Sequence, residues 1–214
     1  MATHPFILAS SSPRRLALLK DIGITPDKII PADIDETPKP RELPRQLALR
    51  LAREKLNAVA AKEPDAYVLA ADSVVGVGRR ILPKAETPDD VRRCLKIMSG
   101  RRHHVYTGVA LRAPGGKITG RVADSIVTFR QLSPADIDNY VKCDEGIGKA
   151  GGYAIQGRAA ALIRFISGSH SNIVGLPLFE VAQMLKGWGY LYSVMPAEAG
   201  IHLGGKNGSP PSRA

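Results

Sequence analysis

Tyr67-Val68-Leu69-Ala70-Ala71-Asp72-Ser73-Val74-Val75-Gly76-Val77 is a run of β-branched and small apolar residues with one carboxylate near its middle. Such a run predicts a central strand. A carboxylate in a buried strand is costly to ionise without a cation or a metal beside it. In α/β folds, ligands meet the sheet at strand ends. Asp72 is therefore a candidate functional residue; the plainer alternative is that the strand stops at Ala71 and Asp72 opens a turn.

Working outward, residues 5–10 (PFILAS) predict a short buried strand. Ser12-Pro13 opens a helix over 14–22, with serine as N-cap and proline at the first helical position. A second strand is expected over 28–32, a loop over 33–44 and a helix over 44–61. Downstream, Thr87-Pro88-Asp89-Asp90 starts a helix that closes at Ser99-Gly100. Strands over 105–112 and 117–130 are joined by Pro114-Gly115-Gly116, a hairpin signal. Ser133-Pro134-Ala135-Asp136 starts a short helix; strands are expected over 152–156 and 161–167, a helix over 176–186, and a strand over 190–194. Helices and strands alternate, with an antiparallel stretch in the middle. The reading is α/β, a mixed β-sheet with flanking helices, in one domain over 1–194 followed by a disordered tail over 195–214.

The chain of 214 residues is 44% hydrophobic and 23% charged, ordinary for a globular protein. Thirty Lys and Arg against twenty Asp and Glu leave a net charge of +10, which points to an anionic partner. Aromatic residues are only 5%, too few for base stacking along a strand, so a phosphate-bearing small molecule is favoured over nucleic acid. The apolar runs are too short for a membrane span, and the apolar stretch 6–9 is too short for a secretory leader. Cys94 and Cys143 form no CxxC pair, which fits a reducing cytoplasm and neither a disulfide framework nor a thiolate zinc site.

Four further segments are candidates for chemistry. Ser10-Ser11-Ser12-Pro13-Arg14-Arg15 joins a strand end to a helix start, where backbone N–H groups, hydroxyls and guanidiniums suit a phosphate. Lys55 falls within the apolar arc formed by Leu47, Ala48, Leu51, Ala52, Leu56 and Val59, so it needs a partner or must snorkel. Arg79-Arg80-Ile81-Leu82-Pro83-Lys84, just after the Asp72 strand, reads on its own as a solvated cationic turn; beside Asp72 it can place Lys84 over a phosphate. Gly148-Lys149-Ala150-Gly151-Gly152-Tyr153-Ala154-Ile155-Gln156-Gly157 is glycine-rich, and Gln156 offers the donor and acceptor that read a base edge; by composition alone the stretch reads as an ordinary glycine-rich β turn. There is no phosphate-binding GxxxxGK[ST] loop, Gly76-Val77-Gly78 is too short for a dinucleotide fingerprint, and no GxSxG elbow accompanies the loop histidine His170. His103 and His104 point to opposite faces of a strand and read as structural.

In this order the segments resemble the Maf family of nucleoside triphosphate pyrophosphatases. The likeness rests on Ser10 to Arg15, Leu51-Ala52-Arg53-Glu54-Lys55, Ala71-Asp72-Ser73, Ser99 to Gly108, Lys149 to Gly157 and Val174-Gly175-Leu176-Pro177-Leu178, and covers roughly residues 5–190. It implies an ITPase-like fold, two lobes around a nucleotide cleft. It implies hydrolysis of a nucleoside triphosphate between the α and β phosphates, assisted by Mg²⁺ or Mn²⁺. Asp72 matches the general base and a metal ligand, and Asp35 and Glu36 match an acidic pair that helps hold the metal. Arg14, Arg15, Lys55 and Lys84 match the residues holding the triphosphate, and Ser10 a phosphate contact. Arg14, Ser73 and Gln156 match the type that acts on dTTP and UTP, with Ser where that type has Thr. Departures are Pro83-Lys84-Ala85 for Gly-Lys-Pro, and Gly148 where the family has Asp. The resemblance also implies a homodimer with no membrane partner. The alternatives are the same reaction on another base such as 7-methyl-GTP, or a non-enzymatic nucleotide- or nucleic-acid-binding regulator of septum formation.

Overall fold

A computed structural model describes residues 4–190. The tail over 195–214 and all but Tyr190 of the strand expected over 190–194 lie outside the described residues. The elements run β1 (Phe6–Leu8), α1 (Pro13–Asp21), β2 (Lys28–Ile29), α2 (Pro44–Ala60), β3 (Tyr67–Val77), β4 (Arg80–Leu82), β5 (Lys84–Ala85), α3 (Pro88–Met98), β6 (Arg102–Arg112), β7 (Ile118–Phe129), α4 (Pro134–Val141), β8 (Lys149–Ala150), β9 (Ile163–Ser167), α5 (His170–Val174) and α6 (Leu178–Gly187).

The main sheet has the order β2-β1-β3-β6-β7-β9, with β4 added to the end of β3. β1 runs parallel to β2 and β3, while β6, β7, β9 and β4 pair antiparallel. The sheet is therefore mixed, as the alternation predicted. The long strands β6 and β7 form the expected hairpin, opposite one another from Arg102 and Thr128 to Arg112 and Ile118. Local chemistry sets the helix starts. Thr87 accepts the Asp90 N–H while Asp90 accepts the Thr87 N–H, and Ser133 and Asp136 repeat that exchange at α4.

Successive residues of β3 face opposite sides. Val68 and Ala70 pack in the cluster of α2 residues Ala52, Leu56 and Val59. Leu69, Ala71 and Val75 join the larger core formed with α1, α3, α4 and α6. Asp72 thus faces α2, and Ser73 the other layer. Opposite Asp72 on β6 stands Gly108. A side chain there would collide with the Ala48 carbonyl, so this glycine lets α2 lie directly on the sheet.

Four expectations are corrected. Residues 152–156 form turns, not a strand, because Gly151 and Gly152 hold φ of 68° and 69°, which breaks an extended run. The segment 79–84 is not a plain turn: β4 folds back on β3, with Val75 opposite Leu82. His170 is not in a loop but begins α5. The strand expected over 28–32 shrinks to Lys28–Ile29 at the sheet edge.

One gap in the sheet positions the site. On the edge away from β6, β1 pairs with β3 only from Tyr67 to Leu69, and β4 only from Val75 to Val77. Between Ala70 and Val74 no described strand covers that edge. β5 and β8 make a separate two-stranded ribbon, and Gly151 just after it packs on Val75. Asp72 and Ser73 fall within this uncovered stretch of β3.

Candidate active site

Asp72 is 8% exposed and Lys55 is 8% exposed. The Lys55 ammonium donates to Asp72 Oδ1 and lies 2.6 Å from Glu36 Oε1. This answers the question the helical arc posed: Lys55 points inward because two carboxylates receive it. Asp72 lies within β3, not in a turn after it. Burial pushes the Asp72 carboxyl above the ordinary aspartate value; Lys55 and Arg15 pull the other way.

Arg14 and Arg15 occupy the first turn of α1. Arg15 is fixed by three contacts: Nε donates to the Gly175 carbonyl at 2.9 Å, Nη1 to Ser10 Oγ at 3.0 Å and Nη2 to Ser73 Oγ at 3.5 Å. Burial presses its guanidinium below the usual range, and Asp72 and Glu36 counter this. Ser10 also accepts the Ser12 N–H at 3.2 Å. The Ser12 hydroxyl, expected to cap α1, makes no such bond, so the first N–H groups of the helix keep no side-chain partner.

Ser73 rests on a buried hydroxyl chain. Thr107 Oγ1 donates to the Asn172 carbonyl at 3.1 Å, so its 2.9 Å contact with Ser73 uses the Ser73 proton. That leaves the lone pairs of Ser73 toward Arg15. Asn172, fully buried, donates to Val105 O at 3.0 Å and to Ser125 Oγ at 2.9 Å, locking the chain to β6 and β7. Thr107 and Asn172 were not among the sequence candidates. Thr107 is found only once the register places it opposite Ser73.

The remaining candidates sit on the facing ribbon and its continuation. Lys84 on β5 stands opposite Ala150, and Ala85 opposite Lys149. Lys149, also not singled out as a site residue, is held below the ordinary lysine value by burial and then by Arg14 and Lys84, so these three cations share one field. Arg14 is itself lowered by burial. Gln156 is exposed in a turn beyond the ribbon. Of the acidic pair, Glu36 reaches the cluster; Asp35 instead accepts the Thr37 N–H at 2.9 Å, and the Thr37 side chain, then this backbone bond, lower its carboxyl. His103 is structural: it is buried, bonded to the Tyr153 hydroxyl at 2.8 Å, and burial lowers its imidazole to about 4.

The inner cluster thus offers a buried carboxylate flanked by an ammonium and a guanidinium, on an open sheet edge. Two hard oxygen donors, Asp72 and Glu36, converge on one cationic position, and no group of three or more possible metal ligands occurs among the described residues.

The chain has relatives over most of its length. The chain is 56% identical over 191 residues to the dTTP/UTP pyrophosphatase of Caulobacter vibrioides, covering 89% of this chain and 99% of that protein. It is 56% identical over 189 residues to the dTTP/UTP pyrophosphatase of Rhodospirillum rubrum, covering 88% and 90%. It is 53% identical over 199 residues to the nucleoside triphosphate pyrophosphatase of Rickettsia rickettsii, covering 91% and 93%. Among solved structures, the Staphylococcus aureus Ham1 protein superposes with a TM-score of 0.50 at 15% identity, over 85% of this chain and 98% of that one, a likeness of fold. The family model described as Maf-like protein matches residues 5–188, from the first strand past the last described helix, and the chain belongs to that family.

Proposed function

We propose that this protein hydrolyses nucleoside triphosphates between the α and β phosphates, with dTTP and UTP as preferred substrates, releasing the nucleoside monophosphate and pyrophosphate. The observation that carries the reading is Asp72, buried between Lys55 and Arg15 at the bare edge of β3. A binding protein has no use for a carboxylate there, since it repels phosphate. The names of the relatives support the same chemistry.

Water attacks the α phosphorus, its proton passes to the Asp72 carboxylate, and the bond to the α–β bridging oxygen breaks as pyrophosphate leaves. An ordinary aspartate is a weak base at neutral pH. Burial raises Asp72 toward the operating pH, where a general base works best. Arg15 and Lys55 offset the charge that develops at the reacting phosphorus, already fixed by their own contacts. Ser10, which accepts two bonds, keeps its own proton for a phosphate oxygen. Arg14 and Lys84 hold the rest of the triphosphate, and Gln156 meets the base.

Asp72 and Glu36 fit a Mg²⁺ or Mn²⁺ ion, since both carboxylates already serve one cation and hard oxygen ligands suit these metals, with substrate phosphates and water completing the set. A bound ion would supply Lewis-acid polarisation of water and offset of phosphate charge. Asp35 is left out, its carboxylate being turned to Thr37. The two free cysteines support a cytoplasmic setting, where the reaction removes unwanted pyrimidine triphosphates, modified ones included.

The test is pyrophosphate release with Mg²⁺ or Mn²⁺ from dTTP, UTP, CTP, GTP, ATP and 7-methyl-GTP, by wild type and Asp72→Asn. The expected result is release from dTTP and UTP, reduced about a thousandfold in the variant. Release from 7-methyl-GTP alone would keep the reaction and overturn the base assignment. No release from any substrate would overturn the enzyme reading.

A further inference from the structure

Gln156 is the third residue of a turn closed by the Gly157 N–H, which donates to the Ala154 carbonyl at 3.1 Å. Its side chain is exposed and bonded to nothing among the described residues. The backbone on both sides is held. Before the turn, the Ala154 N–H donates to the Tyr140 hydroxyl oxygen at 3.1 Å. After it, the Arg158 N–H donates to Glu145 Oε2 at 2.7 Å. The Glu145 carboxylate also lies against Gly157, where any side chain would collide with it. Tyr140 is buried in the last turn of α4, and Glu145 follows in the connection to β8, so one short stretch supplies both clamps.

A free carboxamide on a fixed backbone is built to meet a ligand. Uracil and thymine present an N–H donor beside a carbonyl acceptor, the complement of an amide group. A turn already immobilised loses little freedom when it binds, so the amide acts as a pre-set gauge.

We propose that Glu145 and Tyr140 are positioning residues that set the base selectivity of this enzyme by fixing the turn that presents Gln156. The inference rests on the reading of the chain as a dTTP/UTP pyrophosphatase in which Gln156 meets the base.

The test measures kcat and KM for UTP, CTP and GTP in wild type, Glu145→Ala, Glu145→Gln, Tyr140→Phe, Gln156→Ala and the Gln156→Ala/Glu145→Ala pair. Losing one bond to a charged acceptor is expected to cut the preference for UTP about tenfold in Glu145→Ala, mainly through KM. Glu145→Gln keeps an acceptor oxygen and most of the preference. In the Gln156→Ala background, Glu145→Ala changes the preference less than about twofold, because the two act through one contact. Unchanged preference in both Glu145→Ala and Tyr140→Phe, in a wild type that prefers UTP, overturns the inference and leaves the proposed function standing. A loss equal for all three nucleotides, or additive with Gln156→Ala, makes the clamp purely structural and also overturns it. A wild type that cleaves no pyrimidine triphosphate overturns both. If Glu145→Ala does not fold, Tyr140→Phe, which removes a single oxygen, is judged on the same ratios.

Discussion

At Asp72 the side chains hold one another. Lys55 serves two carboxylates, Arg15 spans Ser10, Ser73 and Gly175, and Ser73 gives its proton to Thr107. At Gln156 the backbone is held and the side chain is left open. The first arrangement suits chemistry common to every substrate, in which charge must already be in place when the phosphorus reacts. The second suits discrimination, in which a contact must be missing until the right ligand arrives. Burial follows the same division: Asp72 is nearly enclosed and Gln156 faces solvent.

The sharpest way to break this contrast is Lys55→Met. It leaves Asp72 and Glu36 facing a vacant centre, and breaking a buried pair costs roughly 3–5 kcal/mol. Urea unfolding is expected to show a loss of that size, with pyrophosphate release down about a hundredfold or more. Near-native stability would mean that the inner cluster is not held by its own pairing.

The mount of the outer turn is tested by acid. His103, bonded to Tyr153, is held at about 4, well under the ~6.5 of an unfolded histidine. The unfolded chain therefore takes up a proton that the folded one refuses. Stability present above pH ~6.5 is lost as pH falls toward 4, by roughly 3 kcal/mol in all. Urea unfolding at pH 7 and pH 4.5 should show this slope in wild type and a flatter one in His103→Gln. Equal slopes would remove His103 from the account.

Gln156→Ala should lower kcat/KM for UTP about tenfold and leave stability within ~0.5 kcal/mol, as an exposed, unbonded side chain requires. A large loss of stability would make the two regions alike. The smallest effect belongs to Lys84→Ala. This exposed cation is expected to raise KM a few-fold at low salt, with the difference shrinking as ionic strength rises.

The inner cluster was largely legible in the sequence because a charge inside an apolar pattern is conspicuous. Asp72 interrupts a β-branched run and Lys55 an apolar arc, and each turned out to answer the other. Thr107 and Asn172 escaped because their meaning depends on strand register and on a helix distant in sequence. Asp35 and Glu36 looked equivalent because a loop has no periodicity to show which side chain turns inward. Residues 152–156 read as a strand although Gly151-Gly152, which takes left-handed backbone, is itself a turn signal, and the clamps on Gln156 are invisible because they come from α4 and the connection after it.

The bare stretch of β3 carries a further consequence. A sheet edge with unpaired backbone is a template on which a passing peptide or another chain can add a strand. From Ala70 to Val74 that template is short, and an added strand would run over Asp72 and the Arg15 guanidinium, whose charges it could not match. On the proposed function, the charges that serve phosphate chemistry would also guard this edge against self-association, and variants that neutralise them should aggregate more readily on heating than their stability alone would predict.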